Sequence, residues 1–129
     1  MDQQIQLLQQ IQSSIWTLIY LVIAVLAINS IRAAAIVYKN FKERVSFATI
    51  ASSMFDREHY DCTIDYCRSR LKKRPMDADA YFLLGRTFYR LKDYDRAEAN
   101  FIKAAELQPT WKEDCEAYLD QIEAKRYSS

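Results

Sequence analysis

Four pairs of residues recur at one spacing: Pro75 and Pro109, Tyr60 and Tyr94, Asp61 and Asp95, and the small pair Ala51 and Gly85 each stand 34 residues apart. A fixed period of this length marks one supersecondary unit used more than once, and such a unit buries its apolar face only by stacking on its neighbour. Within the second unit Leu84 and Phe88 stand four residues apart and Tyr94 and Phe101 seven, the spacings of helical apolar stripes. The pattern predicts an all-α fold, with helices over about 78–91 and 94–107. Asp93 is placed to cap the second helix and Pro109 to stop it.

Tyr81, Leu84, Gly85, Phe88, Ala97, Phe101, Ala104 and Pro109 fall where the tetratricopeptide repeat has aromatic, Leu, Gly, aromatic, Ala, aromatic, Ala and Pro, so the segment 78–111 resembles that family. Gly85 is the only glycine in the chain, although glycine inside a helix costs about 1 kcal/mol relative to alanine. Two helices that cross closely need little side chain at the contact. Gly85, Ala97 and Ala104 are the expected helix–helix packing positions.

The unit before it, 44–77, is a weaker copy with Phe47, Ile50, Ala51, Met54, Tyr60, Cys67 and Pro75 in register. Thr63 replaces a small apolar residue, and Arg70 stands where alanine is expected, so that Leu71 is the neighbour placed to turn inward. After Pro109, the segment 112–126 carries Cys115, Tyr118, Leu119 and Ile122 on one face and charge elsewhere, as a capping helix does. The expected domain is thus 44–129: two repeats and a cap.

The segment 1–43 is of another kind. No Asp, Glu, Lys or Arg occurs from Gln3 to Ile31, and Ile11 to Ile31 supplies 21 uncharged positions, where a bilayer needs about 20. Nine Ile, Leu and Val residues between Ile15 and Ile28 favour insertion by roughly 3 to 5 kcal/mol. A signal peptide wants a positive start, and this chain begins MDQQIQ. A buried core helix would need more globular protein around it. A transmembrane anchor contacting lipid through 11–31 is therefore expected. Trp16, Tyr20 and Tyr38 suit its interfaces.

Between Arg32 and Arg44, four basic residues stand against Glu43 alone. The positive-inside bias then puts the N-terminus outside and the C-terminal module in the cytoplasm, with a bacterial inner membrane the expected setting. Asn29 is placed either to hydrogen-bond another transmembrane helix or to meet lipid and water at the interface. The glutamines at 3, 4, 6, 9, 10 and 12 extend the span, lie on the membrane or pack on a partner. With no proline or glycine before Pro75, one helix is predicted from about Gln6 to Asp56.

Little supports catalysis. Three cysteines without a CxxC spacing and a single histidine, His59, make neither a disulfide framework nor a metal or acid–base set. Cys62 and Cys67 are five residues apart and do not share a helix face. The run Arg68 to Arg74 suits either a solvated helix end or anionic headgroups. A net charge of +1 gives no field for nucleic acid. No enzyme activity, cofactor or metal is expected.

What the resemblance implies is protein binding. First helices of successive repeats line a concave face, and the corresponding positions here are Ala48, Ser52 and Phe55, then Phe82, Arg86 and Tyr89, then Glu116 and Asp120. Aromatics beside an arginine have the composition of a binding hot spot, and the rival use for them is packing against the anchor helix or the cap. Relatives that hold the acidic C-termini of chaperones have Lys and Asn where this chain has Ala48 and Ser52, so that activity is not implied. The expected function is a membrane-anchored adaptor or assembly factor. The alternative is an accessory subunit of a larger membrane complex held through its span. Homo-oligomerisation is left open by either.

Overall fold

The computed structural model describes residues 1–128, and every regular element among the described residues is helical. The elements are α1 (Asp2–Asp56), α2 (Tyr60–Lys73), α3 (Ala78–Arg90), α4 (Tyr94–Leu107), a single 3₁₀ turn (Pro109–Trp111) and α5 (Lys112–Ser128). Contacts divide the chain into two compact units between Arg44 and Val45.

In the first unit, α1 is long and apolar enough to cross a membrane by length and composition, and none of its most apolar stretch is buried. Three of its hydroxyls bond within the helix: Ser13 donates to the Gln10 carbonyl at 2.9 Å, Thr17 to Ser13 at 2.9 Å and Ser30 to Leu26 at 2.8 Å. A hydroxyl bonded to its own backbone needs no water.

The second unit has one core. From the end of α1, Phe47, Ala51 and Phe55 are buried at four-residue steps. Ile50, expected to be in register, stays exposed because it lies about 100° around the helix from Ala51. Ile64 and Cys67 of α2, Leu83, Leu84 and Phe88 of α3, Ala97, Phe101 and Ala104 of α4, and Cys115 and Ile122 of α5 complete the cluster. Two threonines are fully buried, and each donates to a carbonyl four residues back: Thr63 to His59 at 2.9 Å and Thr87 to Leu83 at 2.8 Å. Thr63 thereby enters the core without an orphaned hydroxyl.

The repeat is written most plainly in the turns. Glu58 and Lys92, 34 positions apart, both have φ of 61°. In the first turn Glu58 N–H donates to Phe55 O at 2.9 Å and His59 N–H to Met54 O at 3.0 Å; in the second Lys92 donates to Tyr89 at 3.1 Å and Asp93 to Phe88 at 3.0 Å. Both helices therefore end in the same Schellman closure, with a left-handed residue satisfying the last carbonyls. The next turn repeats as well, Asp77 N–H to Arg74 O at 3.2 Å matching Trp111 N–H to Gln108 O at 3.0 Å. The unit with the weaker sequence copy thus repeats the turns of its neighbour.

Within this frame Asp93 caps α4 by accepting from Arg96 N–H, as expected, while His59 makes no side-chain cap at the start of α2. Gly85 answers to Phe101: a Cβ there would lie 2.8 Å from two atoms of that buried ring. Ala97 and Ala104 are fully buried beside it.

Arg70 departs from expectation. It turns inward itself, its side chain 14% exposed, and donates from Nε to Asp77 Oδ2 at 2.7 Å while lying 5.0 Å from the centre of the Phe47 ring. Leu71 packs partly against the core beside it. Asp77 uses its other oxygen to cap α3, accepting from Asp79 N–H at 3.1 Å and Ala80 N–H at 3.4 Å. The residue that breaks the small-residue pattern finds its partner seven positions later, across the turn.

Candidate functional site

The candidate binding face is lined by the end of α1, α3 and α5, which occupy the same register at 34-residue intervals. Short turns of equal geometry hold the three helices in series.

The expected lining residues divide into two groups. Ser52, Glu116 and Asp120 are exposed, but Asp120 borders a pocket between α4 and α5 and not the face shared by Phe82 and Tyr89. Glu116 meets Lys112 at 3.7 Å, a surface pair one helical turn apart. Phe55 is buried: Arg86 lies 4.5 Å and Arg90 5.8 Å from its ring centre, and Tyr60 meets it edge-on at 5.8 Å. Arg86 is half-buried in the process. Its guanidinium therefore roofs Phe55, an arrangement that holds the cation in a fixed place by cation–π attraction.

Phe82 and Tyr89 face α5 and the turn before it. Phe82 stacks on Trp111 at 4.4 Å and 21°, and meets Phe101 and Tyr118 edge-on at 5.7 and 6.0 Å. Trp111 in turn donates from its indole nitrogen to Asp79 Oδ1 at 3.3 Å. Tyr89 donates to Gln121 Oε1 at 2.9 Å, packs edge-on against Tyr118 at 5.4 Å, and carries the Lys125 ammonium 4.7 Å from its ring centre. The Tyr89 hydroxyl beside it raises the Lys125 pKa. Both aromatics stay partly exposed, so one edge of a braced aromatic wall remains open.

Sequence alone does not point to Trp111, Tyr118 or Lys125 as members of this wall. Tyr118 carries a usable signal, since it stands 34 positions after Leu84 with an aromatic in place of an aliphatic residue. Trp111 precedes its helix and Lys125 reaches back from the far end of α5, and neither spacing is periodic.

Among the described residues no group of three or more His, Cys, Asp or Glu is placed to hold a metal ion. Burial pushes the Cys67 thiol up to about 12, with Asp77 adding to it, and burial raises Cys115 as well. Neither is a thiolate nucleophile near neutral pH. Cys62 is exposed. Asn29 lies in the first unit, exposed on α1.

The tetratricopeptide repeat family matches residues 78–111, which are α3, its turn, α4 and the 3₁₀ turn. That family consists typically of interaction modules rather than enzymes. No curated protein matches the chain.

Proposed function

We propose that this protein is a membrane-anchored adaptor or assembly factor whose helical repeats hold another protein at the cytoplasmic face. The observation that carries the reading is the partition of the chain. One unit presents, from Gln3 to Ile31, an uncharged, largely apolar and wholly unburied helix surface with Ser13, Thr17 and Ser30 bonded internally; the other is a compact stack containing a tetratricopeptide repeat. A surface of the first kind is stable in lipid. The basic residues Arg32, Lys39, Lys42 and Arg44 support a cytoplasmic position for the repeats, with the N-terminus outside, in a bacterial inner membrane or one of like polarity.

Partner binding falls to the open edge of the braced wall: Arg86, Tyr89 and Phe82, rimmed by Ser52 and Glu116. A rigid aromatic and a fixed guanidinium lose little entropy on binding. Full-length protein purified in mild detergent brings its partner with it, and Arg86→Ala with Tyr89→Ala releases that partner while the protein stays folded. Cys62 gives the topology test: an impermeant maleimide labels it only after the membrane is opened. Labelling from outside overturns the orientation, and extraction by salt alone overturns the anchor.

One observation favours the accessory-subunit alternative: Phe82 and Tyr89 are largely engaged by Trp111, Tyr118 and Lys125, which leaves less free apolar area than an unbraced face would. On that reading, changes at Asn29 or the N-terminal glutamines release the partner and changes at Arg86 and Tyr89 do not.

A further inference from the structure

A pocket opens between α4 and α5 on the far side of α5 from the Phe82 wall. Its floor is Ile102, Leu119 and Ile122, and its rim carries Glu98, Glu123 and Tyr127. Ile102 is 44% exposed and Tyr127 84%. An outer surface that only capped the stack would be polar.

The repeat register says what this place is. Thirty-four positions earlier, Ile102, Leu119 and Ile122 become Arg68, Gly85 and Phe88. Arg68 and Phe88 line the corresponding pocket between α2 and α3, and α4 itself occupies that seat: its Arg96 lies there with Asp61 and Asp65 and sits 5.5 Å from the Phe88 ring centre, and its Phe101 covers Gly85. The α4–α5 groove is the next seat in the series, and no helix of the described chain fills it.

We infer that this groove docks a cationic amphipathic helix of a protein partner, presenting a small residue opposite Leu119. Leu119 fills the space that Gly85 leaves for a phenylalanine ring, so an occupant in register brings alanine, serine or glycine there. Asp95 stands where Asp61 does in the earlier seat, beside the position Arg96 takes. Asp95, Glu98, Asp120 and Glu123 make the surroundings acidic. Arg126 is the cation already present, 2.6 Å from Asp95 and 2.7 Å from Glu98, and it marks where the occupant's own cation belongs. A second copy offers one cationic helical stretch, Arg32 to Arg44 of its α1, and on the function proposed above that stretch lies against the membrane surface. The apolar faces of its α2, α3 and α4 are inside its core, and the apolar stretch of its α1 has no cations between Gln3 and Ile31.

The test uses the full chain in zwitterionic nanodiscs, with empty discs as the blank. The probe is a labelled, helix-stabilised peptide with the α4 sequence, Tyr94 to Leu107, carrying Phe101→Ala, Glu98→Lys and Glu106→Lys; binding is read by fluorescence anisotropy. Saturable binding is expected, weakened about tenfold by Leu119→Arg. Leu119→Gly reverses the preference, favouring the same peptide with Phe101 retained, a swap that loss of structure does not produce. A peptide with Arg96→Glu and Lys103→Glu added binds about tenfold less at low salt. Equal binding of both peptides to both proteins, or no saturable binding, overturns the inference. Self-association of the full chain that Leu119→Arg abolishes overturns it in favour of a second copy. Arg86→Ala leaves probe binding unchanged, which separates this groove from the partner surface proposed above.

Discussion

Gly85 and Phe101 are complementary to within a methyl group: a Cβ on the first meets the ring of the second at 2.8 Å, and that ring is itself stacked on Tyr118 at 4.6 Å and 10°. The ring has no free direction in which to retreat. Gly85→Ala gains about 1 kcal/mol of helix propensity against an overpacking cost of about 1–3 kcal/mol. A net loss of stability is expected in denaturant titrations of the full chain in mild detergent. In a Phe101→Leu background the same substitution costs less, and a double-mutant cycle measures the coupling.

Asp77 serves two elements with one carboxylate, holding Arg70 and capping α3. Asp77→Ala removes the cap and leaves a mostly buried guanidinium without its counter-charge. A loss of about 3 kcal/mol is expected, larger than that of Asp93→Ala, which removes a cap and a mostly exposed ion pair with Arg96. Adding Arg70→Met to Asp77→Ala recovers part of the loss, because the uncompensated charge goes with it.

Two turns hold left-handed residues that are not glycine. Lys92→Gly and Glu58→Gly each relieve a conformation that costs an ordinary residue about 1 kcal/mol, and a smaller net gain in melting temperature is expected after the added chain entropy. His59→Asp places a capping carboxylate on backbone angles close to those of Asp93, φ −80° and ψ 63° against −86° and 78°. A gain of about 1 kcal/mol is expected.

The thiols divide by burial. At neutral pH Cys62 reacts with a maleimide, while Cys67 and Cys115 react only on unfolding. The Cys67 value of about 12 lies above the ordinary 9.0, so the folded state keeps a proton that the unfolded state loses. Its contribution to stability is whole below pH 9 and falls as pH rises from there toward 12. Denaturant titrations at pH 8 and pH 10 show that fall, and Cys67→Ala flattens it.

Periodicity carried most of the fold into the sequence. Pro109, Asp93 and the apolar steps of Tyr94 to Leu107 bound α4 at the residues where it is found, because cap, stripe and stop are all local. α5 runs two residues beyond its expected end at Arg126, where no local signal stops it. The inward turn of Arg70 was not legible, since its reason is Asp77 across a turn and Phe47 on another helix. The same holds for the candidate site. Register names Phe82, Arg86 and Tyr89 as lining positions, but what each touches is decided by Trp111, Phe55 and Lys125, and no spacing predicts those meetings.

The seat of Phe101 on Gly85 bears on how such a chain tolerates change in length. One residue added between Tyr94 and Ala97, inside α4, rotates the rest of that helix by about 100°. Ala97 and Phe101 then swing away from Gly85, and the rest of α4 presents the wrong side to α3. Substitutions are absorbed one site at a time, as the divergent first unit illustrates, whereas a single insertion here displaces Ala97, Phe101 and Ala104 together.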